Sequence, residues 1–200
     1  MKPRTQLKNG DILAGRYKVT RLLSSGLFGN VYEAIDVDTE RTYMIKVFWK
    51  EATRNFPEYI DHLRAVSKKL ARPFFPHLLL PLHLGETEEY FYIVQEFIDA
   101  KTLDFVIRDD APLHPSVALA IVAQIAEALF SVHSNSVIHA DVKPANILLS
   151  NSPDSLAGSS EPNAYLIDFG MAMASSMSLE GRTRTLASPF MRQPLCMIQT

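Results

Sequence analysis

The sequence predicts an α+β chain, β-rich with one helix in its first part and mainly helical in its second. Three observations carry that prediction. Four runs before residue 97, "RYKVTRLL", "NVYEAIDV", "TYMIKVFW" and "YFYIVQEF", either alternate apolar with polar residues or concentrate β-branched and aromatic ones, as strands do. A long apolar run of helical character, "HPSVALAIVAQIAEALFSVH", follows them. The composition, 47% hydrophobic and 21% charged, is that of a soluble globular chain rather than a disordered one.

The elements follow in order. "VDTERT", between the second and third strand-like runs, reads as a hairpin turn. "FPEYIDHLRAVSKKL" spaces Tyr59, Leu63, Val66 and Leu70 by four, three and four residues, one face of a helix. Ser116 to Val132 is apolar on nearly every side except a narrow stripe of Gln124, Glu127 and Ser131. A membrane span wants about 20 predominantly apolar residues, so this shorter, interrupted segment is read as a helix packed inside a protein. Two short strand-like runs come next, "NILL" and "AYLIDF". The segment between them, "SNSPDSLAGSSEPN", has the Ser, Pro, Asn and Gly content of a flexible loop. The natural division is an extension over 1–16, a β-rich lobe over 17–97 and a second lobe over 98–200, with a cleft between the lobes.

Charge and cysteine content narrow the setting. A net charge of −2 and a pI near 6.3 give no electrostatic reason to expect nucleic acid or an anionic membrane. The single cysteine, Cys196, excludes an internal disulfide framework and fits a reducing compartment. The opening "MKPRTQLKNGD" has no apolar core and does not read as a signal peptide. A cytoplasmic location is expected.

Five signals carry chemistry. In "LLSSGLFGNVYEA", Gly26 and Gly29 sit in a turn between strands, where backbone N–H groups can approach phosphate oxygens; taken alone, such a hairpin is more often only a hairpin. Lys46 in "YMIKVFW" lies on an exposed strand face or is aimed into a cleft. "HADVKPAN" is a loop, because Pro144 stops a helix from running through it. A loop carrying Asp141, Lys143 and Asn146 is the usual place for chemistry. "LIDFG" ends an apolar strand in Asp168, a turn former or a magnesium ligand. "VQEFID" reads as a hinge.

In this order the signals resemble the protein kinase signature set, over roughly Tyr17 to Gly170, and most closely the bacterial-type serine/threonine kinases. The resemblance implies a two-lobed kinase-like fold, with an N-lobe over 17–97 and a partial C-lobe over 98–200. The C-lobe would hold the catalytic loop at 137–149, a flexible loop at 150–163 and the activation segment at 168–200. It implies ATP and Mg2+ as cofactors and a protein substrate bearing Ser or Thr. Asp141 would orient and deprotonate the substrate hydroxyl, and Lys143 would neutralise the γ-phosphate. Asn146 and Asp168 would bind magnesium, and Lys46 the α- and β-phosphates. Ser24, Gly26, Phe28 and Gly29 would form the glycine loop. Leu23, Val31 and Leu148 would sandwich the adenine, with Met44 beside them and Gln95 as gatekeeper. Glu96 and Ile98 would present backbone groups to the adenine. His139 would be structural, packed beneath Phe169. His62, His77, His83, His114 and His133 show no metal-ligand spacing and receive no role.

The departures from the pattern are specific. Ser24 replaces the first glycine of the loop, and Met44 stands where the family has alanine. Ala140 replaces the arginine of the HRD triplet, so switching through a phosphate paired with that arginine is not expected. Neither Glu58 nor Asp61 matches the spacing of the helical glutamate that partners the strand lysine. "SPFMRQPLCMIQT" aligns Ser188, Pro189 and Pro194 with the family's TPxYMxPE stretch, with Leu195 in place of its glutamate. The further C-lobe helices do not follow, which should leave apolar surface exposed on the helix Ser116 to Val132. A truncated reading frame, a protein partner that completes the C-lobe, and a minimal binding module are the three explanations. The expected function is ATP-dependent phosphoryl transfer to a protein serine or threonine. The rival is a kinase-like module that binds nucleotide or a protein partner without turnover.

Overall fold

A computed structural model describes residues 6–26, 29–53, 57–70, 75–110, 112–150, 162–169 and 173–174. In it the strand-like runs form one antiparallel sheet. Its strands are β1 (Ile12–Leu13), β2 (Tyr17–Ser25), β3 (Gly29–Asp36), β4 (Thr42–Trp49), β5 (His83–Glu86) and β6 (Tyr90–Glu96), in the order β1-β2-β3-β4-β6-β5. The described residues divide into two compact units. One takes in those up to position 58 and those over Pro81–Phe97, the other those between positions 59 and 80 and those from Ile98 onward.

In the first unit the two-residue period of a strand separates two faces. Tyr32 and Ala34 of β3, Ile45 and Val47 of β4, and Tyr90, Tyr92 and Val94 of β6 form one core with Leu13, Tyr17 and Val19. The alternate residues Val31, Met44, Phe48, Phe91, Ile93 and Gln95 point the other way and are buried too. β4 is therefore covered on both sides, which accounts for its nearly unbroken apolar sequence. Two register shifts interrupt β2, between Val19 and Arg21 and between Leu22 and Ser24. Thr20 Oγ1 occupies the first, donating to the Glu33 carbonyl and carboxylate.

The "VDTERT" hairpin closes on Asp36, whose side chain is fully buried. Its Oδ1 accepts the N–H groups of Asp38 and Thr39 at 3.0 and 3.3 Å, the carboxylate-capped turn that Asp favours. Its Oδ2 accepts from Arg16 Nε at 2.9 Å and pairs with the second guanidinium nitrogen at 2.7 Å. Residues before Tyr17 extend the sheet: Gly10 N–H donates to Val19 O, and Leu7 N–H to the Tyr32 hydroxyl.

A short helix α1 (Lys50–Thr53) follows β4, and α2 (Pro57–Lys69) follows that. Although it interrupts the β-rich part in sequence, α2 gives Val66 and Leu70 to the core of the second unit. That unit also contains β7 (Lys101–Thr102), α3 (Leu103–Asp110), α4 (Pro115–Ser134), β8 (Val137–Ile138), a 3-10 turn (Pro144–Asn146), β9 (Ile147–Ser150), β10 (Asn163–Leu166) and β11 (Met173–Ala174). Strands β10, β9 and β7 form a small sheet, and β11 pairs with β8. The loop expected over 150–163 lies mostly, and the 175–200 stretch wholly, outside the described residues.

Helix α4 begins with Pro115 in its first turn, where a missing N–H costs nothing, and His114 Nδ1 accepts the Ser116 N–H. Ile121, Ile125, Ala128 and Val132 face the core of the second unit, against Val137, Leu149, Leu166 and Phe169 among others. The other apolar side is exposed: the helix is packed inside on one face only, and the apolar surface expected on Ser116 to Val132 lies on the other. Leu119, Val122 and Phe130 are 70%, 64% and 73% exposed. By length and composition alone α4 could cross a bilayer, yet one of its faces is part of a protein core.

Two predictions follow from this packing. Ile125→Ala should lower the unfolding free energy by about 2–5 kcal/mol in urea titrations, whereas Phe130→Ser should change it by no more than about 0.5 kcal/mol. The Arg16 guanidinium hydrogen-bonded to Asp36 holds that carboxyl below its ordinary 3.8. A lowered folded-state pKa gives stability that is present above the ordinary value and lost as pH falls through the folded one. Asp36→Asn should therefore melt at a lower temperature than wild type at pH 7, and the gap should close as pH drops below 3.8.

Candidate functional site

The site residues read from the sequence fall on both units, and each half can be built by itself. In the first unit, β2 and β3 bring Leu23, Ser24, Gly26, Gly29 and Val31 together, with Ser24 paired to Val31. Gly26 N–H donates to Gly29 O at 2.8 Å, closing the loop; Phe28 lies outside the described residues. Gly29 has a structural need of its own. A Cβ there would collide with the Val47 carbonyl of β4, so this glycine permits a close backbone approach whatever binds above it.

Lys46 sits directly across from Val31 on β3 and Ile93 on β6. Its neighbours along the same face, Met44 and Phe48, are 4% and 3% exposed. Of the two sequence readings, an exposed-face lysine is thereby ruled out: the cation is half-buried on an otherwise apolar face. Its Nζ lies 5.5 Å from the centroid of the Phe48 ring. Met44 is paired with the buried Gln95, and Glu96, at the end of β6, is exposed. Of the two acids weighed as partners for Lys46, Asp61 lies 3.6 Å from Arg64 one turn along α2; the side chain of Glu58 lies outside the described residues.

The second unit gathers Asp141, Lys143, Asn146 and Asp168. Val137 and Ile138 pair with β11, and the chain then turns through Ala140 at φ +62°. Pro144 opens the 3-10 turn that puts Asn146 back over Asp141. Asp141 Oδ2 accepts from Lys143 Nζ at 2.8 Å and from Asn146 Nδ2 at 2.9 Å. Asn146 Nδ2 also donates to the Asp141 carbonyl at 2.8 Å. Both side-chain donors fall on Oδ2, so Oδ1 carries neither of them.

Four residues close a ring of hydrogen bonds beneath this cluster. The Asn146 carbonyl accepts the Ile167 N–H at 2.9 Å. The Ile167 carbonyl lies 3.0 Å from His139 Nε2, and His139 Nδ1 accepts the Asp141 N–H at 3.3 Å. Asp141 returns to Asn146. The imidazole must be neutral with its proton on Nε2 to meet both partners. Burial lowers its pKa below the ordinary 6.5, consistent with that form. Its ring packs edge-on against Phe169 with centroids 4.8 Å apart. Asp168 follows Ile167 at φ +65°. Left-handed backbone costs a non-glycine residue about 1–3 kcal/mol, and Ala140 and Asp168 share it with Ala14, Glu40, His77 and Ser136 among the described residues.

The donor set suits magnesium. With its Nδ2 committed to Asp141, the Asn146 amide oxygen is the atom that would meet a cation, and Asp168 would supply the carboxylate. Among the described residues no three His, Cys, Asp or Glu side chains form a self-sufficient metal cage. Magnesium does not need one, since it takes one or two carboxylates and completes its shell with phosphate oxygens and water. Leu148 is buried in β9, and Ile98 is half-buried just after β6.

Sequence reasoning missed Gln124. Its Nε2 donates to Pro162 O at 3.1 Å and its Oε1 accepts the Ala164 N–H at 2.7 Å, fixing the start of the strand that leads to Asp168. A lone amide in an otherwise apolar helix was the available signal.

Protein comparisons agree with this architecture. A protein kinase domain model matches residues 17–193, and the chain belongs to that family. It is similar to the serine/threonine-protein kinase PrkC of Bacillus subtilis, 32% identical over 177 residues that cover 88% of this chain and 26% of PrkC. PknD of Mycobacterium tuberculosis is 38% identical over 169 residues, covering 81% of this chain and 23% of PknD. PknH of the same organism is 34% identical over 163 residues, covering 81% and 24%. The chain thus spans about a quarter of the length of these curated relatives.

The imidazole of His139 should take up its proton at a lower pH than an ordinary histidine, because burial disfavours the charged form, as read from ring 15N shifts in histidine-labelled protein. The sign follows from its lowered pKa. The unfolded chain takes up the proton first, so this contribution to stability is full above 6.5 and declines as pH falls from there toward the folded value.

Proposed function

We propose that the chain binds Mg-ATP and transfers the γ-phosphoryl group to a serine or threonine hydroxyl of a protein. The observation that carries this reading is the Asp141 carboxylate, held from one side by Lys143 and Asn146 while its second oxygen takes neither donor. A carboxylate so oriented is placed to accept a proton as the substrate oxygen bonds to phosphorus and the bond to the departing ADP oxygen breaks. Lys143 Nζ, 2.8 Å from that carboxylate, is near enough to balance charge growing on the transferred group.

Asp168 and Asn146 would hold magnesium, which when bound neutralises the phosphate charge that otherwise repels the incoming oxygen. Lys46 is read as the cation for the α- and β-phosphates, and the hairpin at Gly26 and Gly29 as their backbone cover. Leu23, Val31 and Leu148 are the apolar residues assigned to the adenine, with the backbones of Glu96 and Ile98 assigned to its edge. A protein substrate is inferred from the relatives, which are named as serine/threonine-protein kinases.

One observation favours the rival of binding without turnover. Met44 fills a buried position where the family has alanine, which would tighten the adenine pocket. The two readings separate in a transfer assay with radiolabelled ATP and a generic basic protein. Asp141→Asn should lose about 10²–10⁴-fold in rate, and equal background labelling by both proteins would overturn the enzyme reading. A rise in melting temperature with Mg-ATP in both proteins would then keep the binding module alone.

A further inference from the structure

We infer that Phe48 is a positioning residue whose ring holds the Lys46 ammonium where the nucleotide phosphates would meet it. The inference rests on the phosphotransfer reading for its consequence, but the contact itself lies within the first unit. Lys46 and Phe48 are two residues apart on β4 and so share a face. The ammonium lies 5.5 Å from the ring centroid, within the roughly 6 Å over which a ring face attracts a cation.

The ring is itself fixed. Phe48 is 3% exposed and pairs directly across β4 and β6 with Phe91, which is 2% exposed, their ring centroids 6.1 Å apart at 35°. A lysine side chain has four rotatable bonds and loses much entropy when confined. A buried ring immobilised by a second ring gives that ammonium a fixed surface to rest on. Because the cation is half-buried, the attraction is less screened than at an open surface. Transfer rates are sensitive to misplacement of charged groups by about 1 Å, so a ring that narrows the range of Lys46 contributes to function without touching nucleotide.

The test replaces Phe48 with phenylalanines carrying one, two and three ring fluorines, which withdraw charge from the ring face with little change in shape. Lys46 is followed in 13C-methylated protein without nucleotide, and the KM for ATP is measured alongside. Stepwise fluorination should lower the ammonium pKa in steps and raise the KM by about two- to fivefold across the series, while the melting temperature stays level. A flat Lys46 titration across the series would overturn the inference. A moving titration beside a KM that does not change would overturn the positioning role as well. If the titration moves but the unmodified protein binds no ATP, the phosphotransfer reading fails and the ring–cation contact stands. Phe48→Leu, which removes the ring altogether, should reproduce the full titration change.

Discussion

The ring of hydrogen bonds through His139, Asp141, Asn146 and Ile167 is the constraint on which the second half of the site depends. Two of its contacts close the 139–146 loop on itself, and two tie that loop to Ile167. His139 is the keystone because it is buried to 1% exposure and serves both neighbours at once, as acceptor on one ring nitrogen and donor on the other. Replacing it with an apolar residue would strand a backbone N–H and a carbonyl away from water, at about 1–3 kcal/mol apiece. The same ring explains why unfavourable backbone at Ala140 and Asp168 is tolerated. His139 and Asp141 are hydrogen-bonded on either side of Ala140, while Asp168 lies between the hydrogen-bonded Ile167 and the ring of Phe169 packed on His139.

The apolar core supports that polar ring. Ala128 and Val132 of α4 pack with Leu166 and Phe169, so the helix presses on the strand end that carries Asp168. Gln124 adds a polar clamp at the other end of β10. The exposed face of the same helix shows how little of an apolar sequence need be buried for the site to be held. One stripe sets the strand, and Leu119, Val122 and Phe130 take no part in it.

In the first unit the corresponding constraint is the double coverage of β4. Ile45 and Val47 belong to the tyrosine-rich core, and Met44 and Phe48 are buried on the opposite side. Lys46 is therefore not a surface residue that happens to lie in a strand. It is half-buried, with Met44 and Phe48 on either side of it along the strand face. Gly29 has the opposite lesson. It invites a phosphate-loop reading, yet the Val47 carbonyl alone is enough to demand glycine.

Much of the fold was legible in the residues because strand alternation, helical spacing and proline stops are local. The four strand-like runs, α2, α4 and the Pro144 break all appear where those patterns put them. The short elements α1, β1, β5, β7 and α3 were not readable, being too brief or too mixed to show a period. Asp141, Lys143, Asn146 and Asp168 could be nominated from residue type and order, and their resemblance to a family named the chemistry. Tertiary structure alone decided that α2 packs into the second unit, which residues of α4 form its exposed face, and that Lys46 rests against Phe48. It also decided that His139 reaches Ile167 across 28 residues of chain. The physical reason is range: local preference acts over a few neighbouring residues, whereas burial and ring closure exist only once distant segments have met.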